Sequence, residues 1–155
     1  PAFDDFWPLT PLRKISIGLF LTVPAFLLPA WLEARLDAGE TVNIVWQLGC
    51  YIIMTAAEIL ISITALEFSY TQAPKRMKSV VMGVFFASVA AGNLFTAAVN
   101  FFIQNPDGTS KLDGPSYYLF FAAAMGVTAL LFVPVAVLYK ERTYIQDEAP
   151  AEAAE

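Results

Sequence analysis

Histidine is absent from this 155-residue chain, and cysteine occurs once, at Cys50. A disulfide framework and a Cys/His zinc site are thereby excluded. The side chain that usually carries protons near neutral pH is missing as well, so any proton carrier here must be a carboxylate. Charge is also scarce. Only 15% of the residues are Asp, Glu, Lys or Arg, and 57% are hydrophobic. A soluble domain is usually about 25% charged and about 45–50% apolar, so these proportions point to a membrane protein. The formal net charge of −5 says little about the body of the chain, because Glu141, Asp147, Glu148, Glu152 and Glu155 all lie in the last fifteen residues. No basic patch interleaved with aromatics is present, which leaves nucleic-acid binding without support. The His-Glu-x-x-His and Gly-x-Ser-x-Gly patterns and a Ser/Lys dyad are also missing, so the chain does not read as an enzyme. The first eight residues hold Asp4 and Asp5 and no basic stretch, unlike a signal peptide.

What is present in quantity is long apolar runs. A helix needs about 20 mostly apolar residues to cross a bilayer. Four segments qualify, near 15–32, 42–66, 79–103 and 117–139. The expected layout is therefore the end of a preceding helix plus a loop over 1–14, four transmembrane helices within 15–146, and a disordered tail over 147–155. The opening residue, Pro1, is read as the start of a C-terminal piece of a longer protein. Breakers separate the spans: Pro8 and Pro11, then Gln72-Ala73-Pro74, then the turn-rich stretch 105–116. Of the nine Lys and Arg residues, seven (Arg13, Lys14, Lys75, Arg76, Lys78, Lys140, Arg142) fall on one side of the spans, and Arg35 and Lys111 fall on the other. The positive-inside rule then places both ends of the chain and the 72–78 loop in the cytoplasm. Trp31, Trp46, Tyr117, Tyr118 and Tyr139 sit near span ends, where amphipathic rings meet the headgroups.

The second span carries polar residues in order. Gln47, Tyr51, Thr55, Glu58 and Ser62 are spaced 4, 4, 3 and 4 apart, which is one face of an α-helix. With the span centred near Thr55, Glu58 lies about 4.5 Å from the midplane. An ionised residue at that depth costs about 2.5–3.5 kcal/mol on insertion scales, so the stripe must face protein or a water-filled cavity rather than lipid. In a dry surrounding a carboxylic acid stays neutral; beside a cation it ionises. A glutamate placed this way can answer to protons or to an amine. The structural alternative is a helix–helix contact that merely holds a bundle together.

The third span has a weaker stripe, Asn93, Thr96 and Asn100, and small residues at Gly83, Ala87 and Ala91 that read as a packing ridge. Cys50 reads as a small buried hydrophobe. The basic run 75–78 reads as an orientation anchor rather than a lipid-specific site.

At residues 67–79, EFSYTQAPKRMKS, the pattern becomes specific. It resembles the signature between the tenth and eleventh helices of the proton-dependent oligopeptide transporters, a branch of the major facilitator superfamily. Relatives carry Ala-Pro-x-x-(Met/Phe)-(Lys/Asn)-Ser here and a glutamate sixteen residues before the proline. In this chain that position, counted back from Pro74, is Glu58. The likeness is most specific over 58–93 and is nearest to bacterial di- and tripeptide:proton symporters.

The resemblance implies an all-α membrane protein whose four transmembrane helices are the C-terminal part of a twelve-helix major facilitator fold. It implies that Glu58 holds the peptide's amino group or a lysine of the N-terminal half, and that Ser62 and Phe85 also line the substrate site, Phe85 standing where several relatives have tryptophan. Leu66 and Met82 would close a cytoplasmic gate. Gln47, Tyr51, Thr55 and Asn93 are candidate cavity-lining residues. The expected activity is proton-coupled symport of di- and tripeptides by alternating access across the bacterial inner membrane. Protons are the coupling ion, and no cofactor or metal is implied. The expected partners are those peptides, the lipid bilayer, and the N-terminal six-helix bundle and remaining helices, which this chain lacks. The family's Glu-x-x-Glu-Arg proton-coupling motif belongs to the first helix and is absent here. Two other readings stay open: the same fold moving nitrate or another small metabolite, and a non-transporting four-helix membrane scaffold.

Overall fold

A computed structural model of the chain describes residues 10–140. The expected remnant of an earlier helix and the tail over 147–155 lie outside them. Among the described residues four helical spans are long and apolar enough to cross a membrane. The interior of a bilayer offers no water to backbone N–H and C=O groups, so a crossing chain satisfies them within itself as a helix.

The first helix, α1, is Pro11–Asp37. Thr10 caps it, its hydroxyl accepting a hydrogen bond from the Arg13 N–H at 3.4 Å. Pro11 occupies the first turn, where its missing N–H costs nothing. Pro24 and Pro29 lie inside the helix without ending it. The second span combines α2, Val45–Glu58, a single π-helical turn, Ile59–Ile63, and α3, Thr64–Gln72. After Pro74 a 3-10 turn, Lys75–Met77, leads into α4, Lys78–Ile103. The fourth span is α5, Pro115–Leu138. The first helix and the second span outrun their expected apolar stretches, because the polar flanks at 33–37 and 67–72 continue the helical ladder. The second span also starts late, at Val45, whose N–H is taken by the Asn43 side-chain oxygen at 3.0 Å.

α1 is the hub. It packs against α5 along one side and against α2, the π turn and α3 along another. The core gathers Ile15 and Leu19 of α1 with Ala129 of α5, and Ile61, Ala65, Met125 and Phe132 close around them. The most deeply buried positions are small: Ala25, Ala57 and Ala129 are at most 1% exposed. In lipid, helices gain little from hiding apolar surface and associate through van der Waals fit, which small residues permit by bringing backbones together. Phe26 stacks on Phe121 across α1 and α5, and Trp31 meets Trp46 edge-on across α1 and α2.

α4 is different. None of its residues is buried. It packs along α3, and the Tyr117 hydroxyl of α5 donates to the Asn100 side-chain oxygen at 3.0 Å. The α4–α5 loop is closed by its own polar groups. Asp107 Oδ1 accepts from the Thr109 hydroxyl at 2.8 Å and from the Thr109 N–H at 3.2 Å. These bonds favour the carboxylate and hold Asp107 below its ordinary range. Lys111 Nζ donates to the Phe102 carbonyl at 3.0 Å, satisfying a free acceptor at the end of α4.

At the start of α5, Gly114 has φ +52° and ψ −127°, a conformation open to glycine and closed to residues with a Cβ. A Cβ there would also stand 2.7 Å from Asp37 Oδ2. The end of α1 is thus pressed against the start of α5.

Candidate functional site

The second span has two faces. Cys50 and Ala57 are buried, and Met54, Ile61 and Ala65 are half-buried. This is the side that meets α1. Gln47, Tyr51, Thr55, Glu58, Ser62 and Leu66 are all exposed. The sequence-predicted polar residues therefore share the open side of the span. Glu58 makes no hydrogen bond or ion pair among the described residues. A carboxyl group on an apolar helix without a partner is unusual, because an ionised one in hydrocarbon is costly.

The continuous α-helical face expected from the spacing is interrupted. Glu58 is the last residue of α2, and the π turn begins at the next residue. Its wider coil takes up extra residue length and changes the phase of everything that follows. Ser62 lies inside the turn and Leu66 beyond it. The stripe is thus an α-helical upper part joined to a re-aimed lower part. Such turns are rare and occur mostly as single insertions, frequently at functional sites.

Gln47 and Tyr51 border a cleft of about 300 Å³ between α1 and α2, together with Glu33, Asn43, Cys50 and Tyr118. Thr55 and Glu58 do not line it. The candidate residues thus fall into two groups along one span, the first near the connection to α1 and the second at the π turn. Met82 and Phe85 lie on α4, both half-buried, and Asn93 is exposed further along it. α3, which carries Leu66, is the element that packs on α4. Phe68 of α3 meets the Tyr139 ring just past α5 at 5.6 Å, at the same end of the molecule.

Two features of this face have no counterpart in the sequence reading. The π turn leaves no trace in residue types, since Ile59–Ile63 reads as ordinary apolar helix. The other is Gly18 of α1, a buried residue standing against that turn: a Cβ at Gly18 would meet Ile61 Cγ1 at 2.7 Å, Leu60 Cβ at 3.0 Å and the Ala57 carbonyl oxygen at 3.2 Å. A glycine within an apolar span was the only available signal.

Comparison with known proteins agrees with this architecture. A protein-family model described as the POT family matches residues 3–118. The chain is 38% identical over 110 residues to "Peptide transporter family 1" of Drosophila melanogaster, a match that covers 71% of this chain and 14% of that protein. It is 36% identical over 112 residues to "Solute carrier family 15 member 2" of Rattus norvegicus, covering 72% of this chain and 14% of that protein. Among solved structures, an auto-inhibited POT family peptide transporter superposes with a TM-score of 0.80 at 31% identity, over 94% of this chain and 29% of the other. The POT family transporter PepTSo superposes with a TM-score of 0.73 at 29% identity, over 90% of this chain and 30% of the other. The chain therefore spans about a seventh of these curated relatives and under a third of these solved structures. With four apolar spans, a fold shared with these transporters and a family match over most of its length, the chain belongs to the POT family.

Proposed function

We propose that these four helices are the C-terminal part of a secondary active transporter that carries di- and tripeptides into the cell with protons by alternating access. The observation that carries the reading is Glu58: an exposed, unpaired carboxylate on a polar stripe within an apolar span. In the complete transporter this face borders the substrate cavity. Glu58 receives the peptide's ammonium or a lysine of the N-terminal bundle, Ser62 supplies a hydroxyl, and Phe85 forms an apolar wall. Gln47, Tyr51, Thr55 and Asn93 continue the lining, and Leu66 and Met82 close the cytoplasmic gate. No covalent step and no cofactor are needed; the coupling ion is the proton. The protein lies in a bacterial inner membrane with the 72–78 loop and the C-terminus in the cytoplasm, where the lysines and arginines gather. Such a site suits the rule that transporters bind substrate near the midplane between repeats.

The test is Glu58→Gln in the complete transporter, reconstituted in proteoliposomes. The expected result is a roughly 10-fold or greater loss of peptide affinity, the scale of a charge-assisted hydrogen bond of about 1.5–3 kcal/mol, together with weakened proton-driven uptake. Unchanged affinity and uptake would remove Glu58 from the mechanism. Competition of uptake by alanyl-alanine, and none by nitrate, separates peptide cargo from the other cargo class.

A further inference from the structure

We infer that Gly18 is a positioning residue for Glu58, acting through the π turn. The inference rests on the reading of Glu58 given above. Gly18 touches neither Glu58 nor the open face. It lies on α1, buried, on the opposite side of the second span. Its missing side chain leaves a notch, and the π turn fills it. Ile61 Cγ1, Leu60 Cβ and the Ala57 carbonyl oxygen all come within 3.2 Å of the point where a Cβ would be. Those three residues bracket Glu58 and the first half of the turn.

A π turn is wider than an α turn, and the extra width has to go somewhere. Here it bulges toward α1, where a glycine removes the obstacle. The opposite face carries Glu58 and Ser62, whose direction is set by how far the bulge can enter the notch. None of the atoms in the notch yields readily. Ile61 is β-branched and stiff at χ1, Leu60 Cβ sits next to the backbone, and the Ala57 oxygen is backbone itself. A methyl at position 18 must therefore displace the turn as a unit, and with it the carboxylate. Loss of the charge-assisted contact that the carboxylate makes is worth about 10-fold or more in affinity.

The experiment uses the complete transporter and alanyl-alanine as the probe. Gly18→Ala is expected to raise KM by roughly 10-fold or more while the melting temperature in detergent stays within a few degrees. Ile61→Ala removes the Cγ1 that fills the notch, and on its own it loosens the turn and raises KM as well. In the double variant the closest of the three contacts is gone, and KM is expected to rise clearly less than the two single effects combined, the mark of residues coupled through contact. A merely structural contact would lower the melting temperature and leave KM alone, and that result overturns the inference. Additive KM effects in the double variant overturn it too. Should Gly18→Ala fail to accumulate, Ile61→Ala alone decides: an unchanged KM overturns the positioning role and a raised KM supports it. Glu58→Gln in parallel keeps the two ideas apart. Unchanged affinity in Glu58→Gln removes the site itself, whereas a loss there with no effect of the Gly18 and Ile61 variants removes only the positioning role.

Discussion

α1 and α4 are nearly the same length and both are apolar enough to cross a membrane, yet the first holds much of the core and the second buries nothing. The difference is not one of hydrophobicity. It lies in what each helix presents to its neighbours. α1 offers Gly18, Ala25 and Ala30 as buried points of close approach on a helix that is contacted from two sides. α4 has small residues too, at Gly83, Ala87 and Ala91, but all three are exposed among the described residues. In a bilayer, apolar surface costs the same against lipid as against protein, so an apolar helix can be a hub or can stand at the margin. The contrast between these helices teaches that hydropathy finds spans and says nothing about packing order.

The strongest test of this contrast sets Ala129→Leu against Ala90→Leu. Ala129 is fully buried where α5 meets α1, and a larger side chain there overpacks the contact. A loss of about 3 kcal/mol is expected, read as a lower melting temperature of the complete transporter in detergent. Ala90 is exposed on α4, and the same change there is expected to stay within about 0.5 kcal/mol. An equal loss at both positions would show that helices outside this chain cover α4, and the contrast would then belong to the four helices alone.

A smaller effect is expected where the end of α1 meets the start of α5. Gly114→Ala forces a Cβ into a backbone conformation suited to glycine, and toward Asp37. The expected cost is about 2 kcal/mol, read from the same melting experiment. Pairing it with Asp37→Ala relieves the side-chain clash and leaves the backbone strain. Complete rescue by Asp37→Ala would show that the strain argument is wrong.

The smallest effect concerns the loop that joins α4 to α5. Asp107 is held below its ordinary value of 3.8 by the Thr109 hydroxyl and N–H. The sign follows from linkage: a carboxylate depressed in the folded state contributes stability that is fully present above its ordinary value and is lost as pH falls through the folded one. The loop contacts should therefore weaken only in acid below that value. Titration of the Asp107 carboxyl by NMR is expected to give a midpoint under 3.8, and Thr109→Val, which loses the hydroxyl, is expected to raise it. No change on Thr109→Val would assign the depression to the backbone N–H alone.

The parts of the site differ in how far they could be read in advance. Glu58 was visible because a carboxylate in an apolar run stands out, and its distance from Pro74 tied it to the Ala-Pro signature of the POT family. The exposed side of the span was visible because Gln47, Tyr51, Thr55 and Glu58 keep helical spacing. Past Glu58, Ser62 stays on the exposed side as the count expects, although the backbone there has left the α-helical register. Residue types do not record the π turn, since Ile59–Ile63 reads as ordinary apolar helix. Gly18 was silent for the same reason, since its role depends on Ile61 and Ala57, far along the chain.

The sequence by itself determined that this chain has four spans long and apolar enough to cross a membrane, roughly where they lie, which family it belongs to and which face of the second span is polar. It could do so because the bilayer makes every crossing satisfy its own backbone, turning local composition into local structure. Only the tertiary structure decided that α1 is the hub, that α4 stands apart, and that the π turn after Glu58 lies against Gly18. Those outcomes depend on shape fitting between distant segments, which van der Waals contact settles over fractions of an ångström and which no local pattern of residues records.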